Sequence, residues 1–152
     1  MEQEGKPGAP RRELKPSMKR RMDGWDYSQP RIYMITLAVE GRRPLLGRVV
    51  GSVSASAAPG DAPRVELSPL GRWVNAEVER IPGHSPEVRV LAKQVMPDHL
   101  HMLLYVTRPM RVHLGKVVGR FKAGCNRGYR EILAGQQSCP AQDTRTAPPP
   151  MG

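Results

Sequence analysis

The only long apolar run of the sequence constrains its folding most, and it reads QVMPDHLHMLLYV. Residues two apart on a β-strand point to the same side, so this run divides into two faces. One face is apolar enough to lie on a core and holds Leu100, Met102, Leu104 and Val106. The other face carries His99 and His101 together with Leu103 and Tyr105. Two imidazoles on one side of an otherwise apolar strand are the feature that most calls for a chemical explanation.

Around this run, hydrophobic patterning and turn residues predict the remaining elements. Within this run the tight turn Pro97–His99 follows one strand, and LHMLLYV is the returning strand of the hairpin. The other predicted strands are Arg31–Glu40, Pro44–Val50, Arg64–Leu67 and Glu87–Met96. One helix begins with Ser68 as N-cap and Pro69 in its first turn and ends within Ile81–Pro86, and another runs from Met110 to about Leu133. This order predicts an α+β fold, an antiparallel sheet with two helices on one face, of the ferredoxin-like or split βαβ type.

The ends of the sequence differ in composition from its centre. The chain has 152 residues, of which 15 are Gly and 16 are Pro, so its core is small for its length. We expect a basic flexible arm over residues 1–24, one domain over 25–133 and a Pro-rich disordered tail over 134–152. No segment has the apolar core of a signal peptide or the length of a membrane span, which predicts a cytoplasmic protein without a membrane partner.

A formal charge of +10 predicts a polyanionic partner, nucleic acid first and an anionic membrane surface second. The segment Arg108–Arg130 has seven Lys or Arg and no acidic residue. At about 100° per residue, one side of the predicted helix gathers Lys116, Arg120, Arg127 and Arg130. A solvated helix face normally mixes both signs of charge, so this stripe is expected to contact phosphates.

The histidine pair has two interpretations when it is considered alone. Imidazoles at positions i and i+2 of a strand can hold one divalent metal ion. An ordinary strand with two half-exposed histidines is the more frequent situation, and a bare His-x-His pattern favours it. The residues around the pair change this balance.

The segment VMPDHLHMLLYV resembles the MPNHxHLL signature of the single-tyrosine HUH transposases, which include insertion-sequence and REP-associated tyrosine transposases. The likeness continues in RIYMITLAVEGRRPLLG, LSPLGRWVNAEVERIP and HLGKVVGRFKAGCNR, so that it covers roughly Trp25 to Arg130 in the family's order. Its most specific points are Pro97, His99 and His101. Asp98 stands where the family commonly has Asn; we interpret it as a turn residue, with an outer-shell role at the metal as the alternative.

The resemblance implies a fold of the HUH endonuclease type and a metal centre. His99 and His101 would hold Mg²⁺ or Mn²⁺, which polarises the scissile phosphate of single-stranded or hairpin DNA. In the complete family a tyrosine attacks this phosphate and forms a 5′-phosphotyrosine, the first step of strand transfer in transposition and DNA recombination. The family often works as a dimer, so the resemblance also brings a homodimer into consideration.

The nucleophile is the missing part of this resemblance. The family's tyrosine lies on a later helix and is expected beyond the end of this chain, so the catalytic residue is unknown and the endonuclease activity is expected to be impaired by truncation. Tyr129 is interpreted as a packing residue of the earlier helix. The alternative function is a non-catalytic module that binds DNA or RNA on the same kind of sheet. Such a sheet normally exposes aromatic residues, and the strands offer only Tyr33 and Tyr105. A metal-dependent hydrolase of small substrates would need an acid/base group that the sequence does not display.

Overall fold

A computed structural model of the chain describes residues 22–53, 58 and 60–137. Most of the predicted basic arm and most of the predicted Pro-rich tail lie outside these residues. The elements are β1 (Ile32–Ala38), a 3-10 turn (Glu40–Arg42), β2 (Gly47–Val50), β3 (Arg64–Leu67), α1 (Pro69–His84), β4 (Val88–Val95), β5 (His99–Val106) and α2 (Leu114–Gln137).

The strands form two antiparallel sheets within the described residues. The larger sheet has the order β1-β5-β4, and β2 pairs with β3 in the smaller one. Strands β1 and β4 run in the same direction on either side of β5, and α1 lies between them in sequence, which is a split βαβ arrangement. The protein therefore has the predicted α+β, ferredoxin-like fold.

Strand β5 shows why both helices lie on one face of the larger sheet. Its burial alternates at every residue, and the buried set is Leu100, Met102, Leu104 and Val106. These four side chains join one core cluster with Val78 and Ile81 of α1 and with Leu114, Val117 and Phe121 of α2. The opposite face of the sheet has no element packed on it among the described residues, and it is the face that carries the histidines.

Helix α1 begins as its sequence predicts. The Ser68 hydroxyl oxygen accepts a hydrogen bond from the Gly71 N–H at 3.0 Å and donates to the Leu45 carbonyl at 2.6 Å. The hydroxyl therefore caps the helix and ties its first turn to the segment before β2. The helix continues past Pro82 and ends at His84, inside the predicted terminating segment.

Helix α2 differs from its prediction at both ends. It begins at Leu114 rather than Met110, since the Met110 N–H donates to the Ser28 carbonyl and Nδ1 of His113 accepts from the Gly115 N–H instead. It ends at Gln137 rather than Leu133, so the prediction of a disordered tail from residue 134 is wrong for residues 134–137. Ala and Gln are good helix formers and extend the last turn.

The two helices approach each other most closely at two glycines of α2. A Cβ atom at Gly128 would overlap the Trp73 indole, and one at Gly124 would overlap the Glu77 carboxylate. The Trp73 indole N–H donates to the Gly124 carbonyl at 3.1 Å. Small residues on α2 thus make room for two large side chains of α1.

Neither helix in the described part of the chain has an apolar stretch long enough to cross a membrane.

Candidate metal centre

The two histidines lie side by side at the start of β5, on the face of the sheet that the helices leave open. Both are half-buried, and their rings meet nearly edge to face with centroids 4.7 Å apart. The Nε2 atoms of His99 and His101 face each other at 3.0 Å. The pair is therefore a convergent one, in which both imidazoles present the same ring nitrogen to one point.

Each imidazole is oriented through its other nitrogen. Nδ1 of His99 lies 2.5 Å from the Asp98 carboxylate, and Nδ1 of His101 lies 2.9 Å from the Thr36 hydroxyl. A carboxylate can only accept, so Nδ1 of His99 carries a proton and donates it to Asp98. The Thr36 hydroxyl can accept from Nδ1–H of His101 or donate to Nδ1, and when it accepts, His101 also directs an Nε2 lone pair at the shared point. Ligating histidines are commonly oriented in this way by an outer partner.

Two lone pairs at this distance repel, so either a metal ion or an N–H of one ring lies between the two nitrogens. Two nitrogens at about 2.1 Å from one ion and at right angles to each other would be about 3.0 Å apart, close to the spacing found between the two Nε2 atoms. A proton shared between the rings is the other arrangement that removes the repulsion. The residues present thus fit a divalent ion on the two imidazoles.

Asp98 is both a turn residue and an outer partner of His99. The hydrogen bond from His99 lowers the pKa of the Asp98 carboxyl, and the positive charge of Arg42 lowers it further. Arg42 lies 3.4 Å from the second carboxylate oxygen. The turn is anchored through its backbone as well, since the carbonyls of Pro97 and Asp98 accept from the N–H groups of Leu46 and Val39. A rigid turn therefore fixes the position of His99.

The neighbouring strands place two further polar residues beside His101. Thr36 of β1 and Gln94 of β4 are its cross-strand partners, so all three side chains lie on the open face. In the described part of the chain no group of three His, Cys, Asp or Glu residues could hold a metal ion. Sequence reasoning missed Thr36 and Gln94 because both lie in segments whose pairing register the sequence does not display.

The four tyrosines occupy different surroundings, and none contacts His99 or His101. Tyr33 is buried against the helices, and Tyr27 packs on its ring at 5.7 Å. Tyr129 lies on α2, in a cleft lined by Phe121 and Leu100 on the helix side of the sheet. Tyr105 shares the histidine face but lies four residues from His101, about 13 Å along the strand. Within one chain the sheet separates Tyr129 from the histidine pair.

Cys125 is no alternative nucleophile or metal ligand. Burial raises the pKa of its thiol to about 12, and the negative charge of Glu77 acts in the same direction. A thiol that stays protonated at neutral pH neither attacks nor ligates efficiently. Cys139 lies outside the described residues.

The predicted basic stripe is exposed along its whole length, at Lys116, Arg120, Arg127 and Arg130. Arg120 and Arg127 line a cleft of about 460 Å³ between α1 and α2, together with His84 and the buried Glu77. Glu77 is already paired with Arg80 at 2.6 Å. Neither Arg120 nor Arg127 forms an ion pair with a carboxylate in residues 22–53 and 60–137. This cleft lies on the helix side, so the basic stripe and the histidines face opposite directions.

Away from the histidines, the open face of the sheet carries mainly apolar side chains. Ile32 and Met34 of β1 are 59% and 67% exposed, and they are the partners of Tyr105 and Leu103 on β5. Tyr105 is the single aromatic residue on the strands of this face in the described part of the chain. Base stacking of the kind used by RNA-binding sheets would therefore have one aromatic ring to use.

Comparison with known proteins gives little beyond this geometry. No family model and no solved structure matches the chain. An uncharacterised protein of Haemophilus influenzae is 24% identical over 124 residues, covering 68% of this chain and 63% of that protein. The chain thus spans less than two thirds of the length of this relative.

Proposed function

We propose that this protein is a DNA-binding domain of the single-tyrosine HUH transposase type, with a divalent metal centre at His99 and His101. The observation that carries the proposal is the convergence of the two Nε2 atoms at 3.0 Å while both Nδ1 atoms are held by outer partners. The resemblance of the surrounding segment to the family's signature supports the same conclusion.

In this proposal each residue has a definite task. His99 and His101 hold Mg²⁺ or Mn²⁺, and the bound ion supplies Lewis-acid polarisation of a phosphodiester. Asp98 keeps His99 in the ligating tautomer, and Thr36 orients the ring of His101. Single-stranded or hairpin DNA is the proposed partner, and the basic stripe of α2 contacts phosphates away from the metal.

Cleavage and strand transfer in the family need a tyrosine nucleophile, and no tyrosine in the described part of the chain contacts His99 or His101. We therefore propose that the chain binds DNA and metal but forms a phosphotyrosine only when a tyrosine comes from elsewhere, for example from a second chain in a homodimer. A cytoplasmic location belongs to the same proposal.

The first test is a titration with Mn²⁺ followed by electron paramagnetic resonance. We expect the chain to bind one ion and the His99→Ala/His101→Ala variant to bind none, with circular dichroism unchanged because both side chains lie outside the core. His84→Ala is the matched control, since His84 is an exposed histidine on α1. Equal Mn²⁺ binding by the double variant and the original chain would contradict the proposal.

The second test uses labelled single-stranded, hairpin-forming DNA from the flanks of the gene, with and without Mn²⁺. We expect tighter binding with Mn²⁺ on a native gel and no covalent adduct on a denaturing gel. A metal-dependent adduct that disappears in the double histidine variant would show instead that a tyrosine of this chain acts as the nucleophile, and it would overturn the expectation of impaired activity.

A non-catalytic module for DNA or RNA is the second candidate, and the basic cleft between α1 and α2 favours it. The arginines of this cleft lie on the side away from the histidines, so they can bind phosphates without any metal. Such a module would bind equally well in chelator and in Mn²⁺, and it would be indifferent to replacement of both histidines. The same native gel therefore distinguishes the two functions.

A further inference from the structure

A second cleft lies on the helix side of the sheet, beside Tyr129, and neither the candidate metal centre nor the basic stripe uses it. It has a volume of about 380 Å³ and lies between α2, the end of β1, the start of α1 and residues 40–46. This volume is within the range of about 300 to 1,000 Å³ that is usual for small-molecule sites. We infer that this Tyr129 cleft binds a small organic anion with a flat aromatic body. The inference goes beyond the proposed function and does not depend on the metal centre.

The floor of the Tyr129 cleft is apolar and is held in place by the core. Its side chains come from both helices, the sheet and the segment before β2, and they are Leu37, Leu46, Leu70, Val74, Leu100 and Phe121. Four of them, Leu46, Val74, Leu100 and Phe121, are buried core residues, so packing fixes the floor before a ligand arrives. The rings of Phe121 and Tyr129 both line the cleft, which favours a flat aromatic ligand body.

The rim of the cleft is polar and carries more positive than negative charge. Lys122 and Asn126 lie one turn apart on the exposed side of α2, and Arg43 lies in the segment between β1 and β2. Neither Lys122 nor Arg43 forms an ion pair with a carboxylate in the part of the chain that the structure describes. Two cations against the single carboxylate of Glu40 favour an anionic ligand. The Asn126 amide and the Tyr129 hydroxyl can orient it by hydrogen bonds.

The basic cleft between α1 and α2 is a poorer site for such a ligand. The carboxylate of Glu77, paired with Arg80, is buried there, so an anion on its floor would lie against a negative charge. In the Tyr129 cleft the carboxylate of Glu40 is exposed at the rim instead. The Cys125 thiol also lines this cleft, and burial raises its pKa to about 12, so it adds no negative charge.

One wall of the Tyr129 cleft also holds the turn before His99. Val39 and Leu46 line the cleft, and their N–H groups donate to the carbonyls of Asp98 and Pro97 in that turn. A ligand that presses on this wall would displace the hydrogen-bonded turn with it. Binding should therefore change the amide signals of the turn, although the ligand lies on the other side of the sheet from the histidines.

The first measurement is a fluorescence titration of the full chain with anilinonaphthalenesulfonate, an aromatic monoanion, in the presence of a chelator. We expect one saturable site. Arg43→Gln/Lys122→Gln should raise its Kd roughly tenfold, because two charged contacts with the sulfonate are lost. Arg89→Gln/Arg111→Gln removes the same charge from exposed positions outside the cleft and should leave Kd unchanged. Equal weakening by both double variants would show a response to net charge alone and would overturn the inference, as would the absence of saturable binding.

The second measurement repeats the titration with phenylnaphthylamine, which has the same rings without the sulfonate. We expect weaker binding than for the anion and no response to the Arg43→Gln/Lys122→Gln change. Asn126→Trp places a large ring at the mouth of the cleft and should weaken binding of both probes, with an unchanged circular dichroism spectrum because Asn126 is exposed. Equal affinity for the two probes would overturn the preference for an anion.

The third measurement locates the probe by amide NMR spectra of the full chain at saturation with anilinonaphthalenesulfonate. We expect the largest shift changes at Val39, Leu46, Leu100 and Asn126, with smaller ones in the turn before His99. Changes centred on the exposed apolar residues of the open face, Ile32, Met34 and Leu103, would overturn the inference. Since all three measurements are made without metal, their failure would leave the proposed function standing, and failure of Mn²⁺ binding would leave this site standing.

Discussion

The two faces of the three-stranded sheet differ in burial and in chemistry, although one strand supplies both. On the helix side, Leu104 and its neighbours on β5 are 0 to 2% exposed and form the centre of the core. On the open side, the same strand presents two histidines, a leucine and a tyrosine that are all half-buried. Alternate residues of one strand therefore serve stability and the candidate site separately.

This separation teaches how an apolar strand can carry a polar site without weakening the core. Because side chains alternate with a period of two, the histidines occupy open-face positions and replace no residue of the core face. The core face remains continuous past both histidines. Substitutions on the two faces should consequently have different effects, even when the residue type and the strand are the same.

The largest expected effect is on the core face. Leu104→Ala should lower the free energy of unfolding by about 3 kcal/mol, because it removes a fully buried side chain and leaves a cavity. Leu103→Ala, one residue away on the open face, should lower it by less than about 1.5 kcal/mol. Urea denaturation of the two variants measures this difference. Similar losses would mean that something covers the open face in solution.

A smaller effect is expected where the helices approach each other on the covered side. Gly128→Ala places a methyl group against the Trp73 indole, and we expect a loss of about 1–3 kcal/mol from overpacking. Gly119→Ala on the same helix has open space around it and should gain up to about 1 kcal/mol from helix propensity. A lower Tm for Gly128→Ala and a higher Tm for Gly119→Ala in thermal denaturation would support the close contact between the helices. A loss of stability in both variants would point to a different packing of α2.

The smallest effect on stability is expected in the basic cleft. Replacing Arg120 and Arg127 by Gln should change the free energy of unfolding by less than about 0.5 kcal/mol, because both side chains are exposed. The salt dependence of single-strand DNA binding, as log K against log salt, should become shallower by about 1.4. Arg48→Gln/Arg64→Gln removes the same charge from the β2–β3 pair and is the control. If the Arg120/Arg127 variant also changed the affinity for Mn²⁺, the basic cleft and the histidine face would not act independently.

Local signals account for most of the predicted fold. The Ser-Pro start of α1, the alternation of β5 and the turn before it each depend on neighbouring residues, and the structure has all three where they were predicted. The ends of α2 were misplaced because they depend on contacts rather than on propensity. Its start depends on a backbone contact between Met110 and Ser28, which lies far away in sequence.

The candidate site was only half predictable, for a related reason. His99 and His101 are neighbours in sequence, and the period of a strand is enough to place them together. Thr36 and Gln94 lie opposite His101 only through the register of β1 and β4 on β5, which no local pattern specifies. The separation of the basic stripe from the histidines was equally invisible, since it depends on which face of the sheet the helix covers.

The contact between Thr36 and His101 joins residues 65 positions apart in the chain. Nδ1 of His101 thus acquires its partner only after β1 has docked against β5, so the ring cannot be held in its ligating orientation while the sheet is still open. An ion that needs both imidazoles would be captured late in refolding and would favour the native state by mass action. The time at which the ion binds during refolding would then report when β1 pairs with β5.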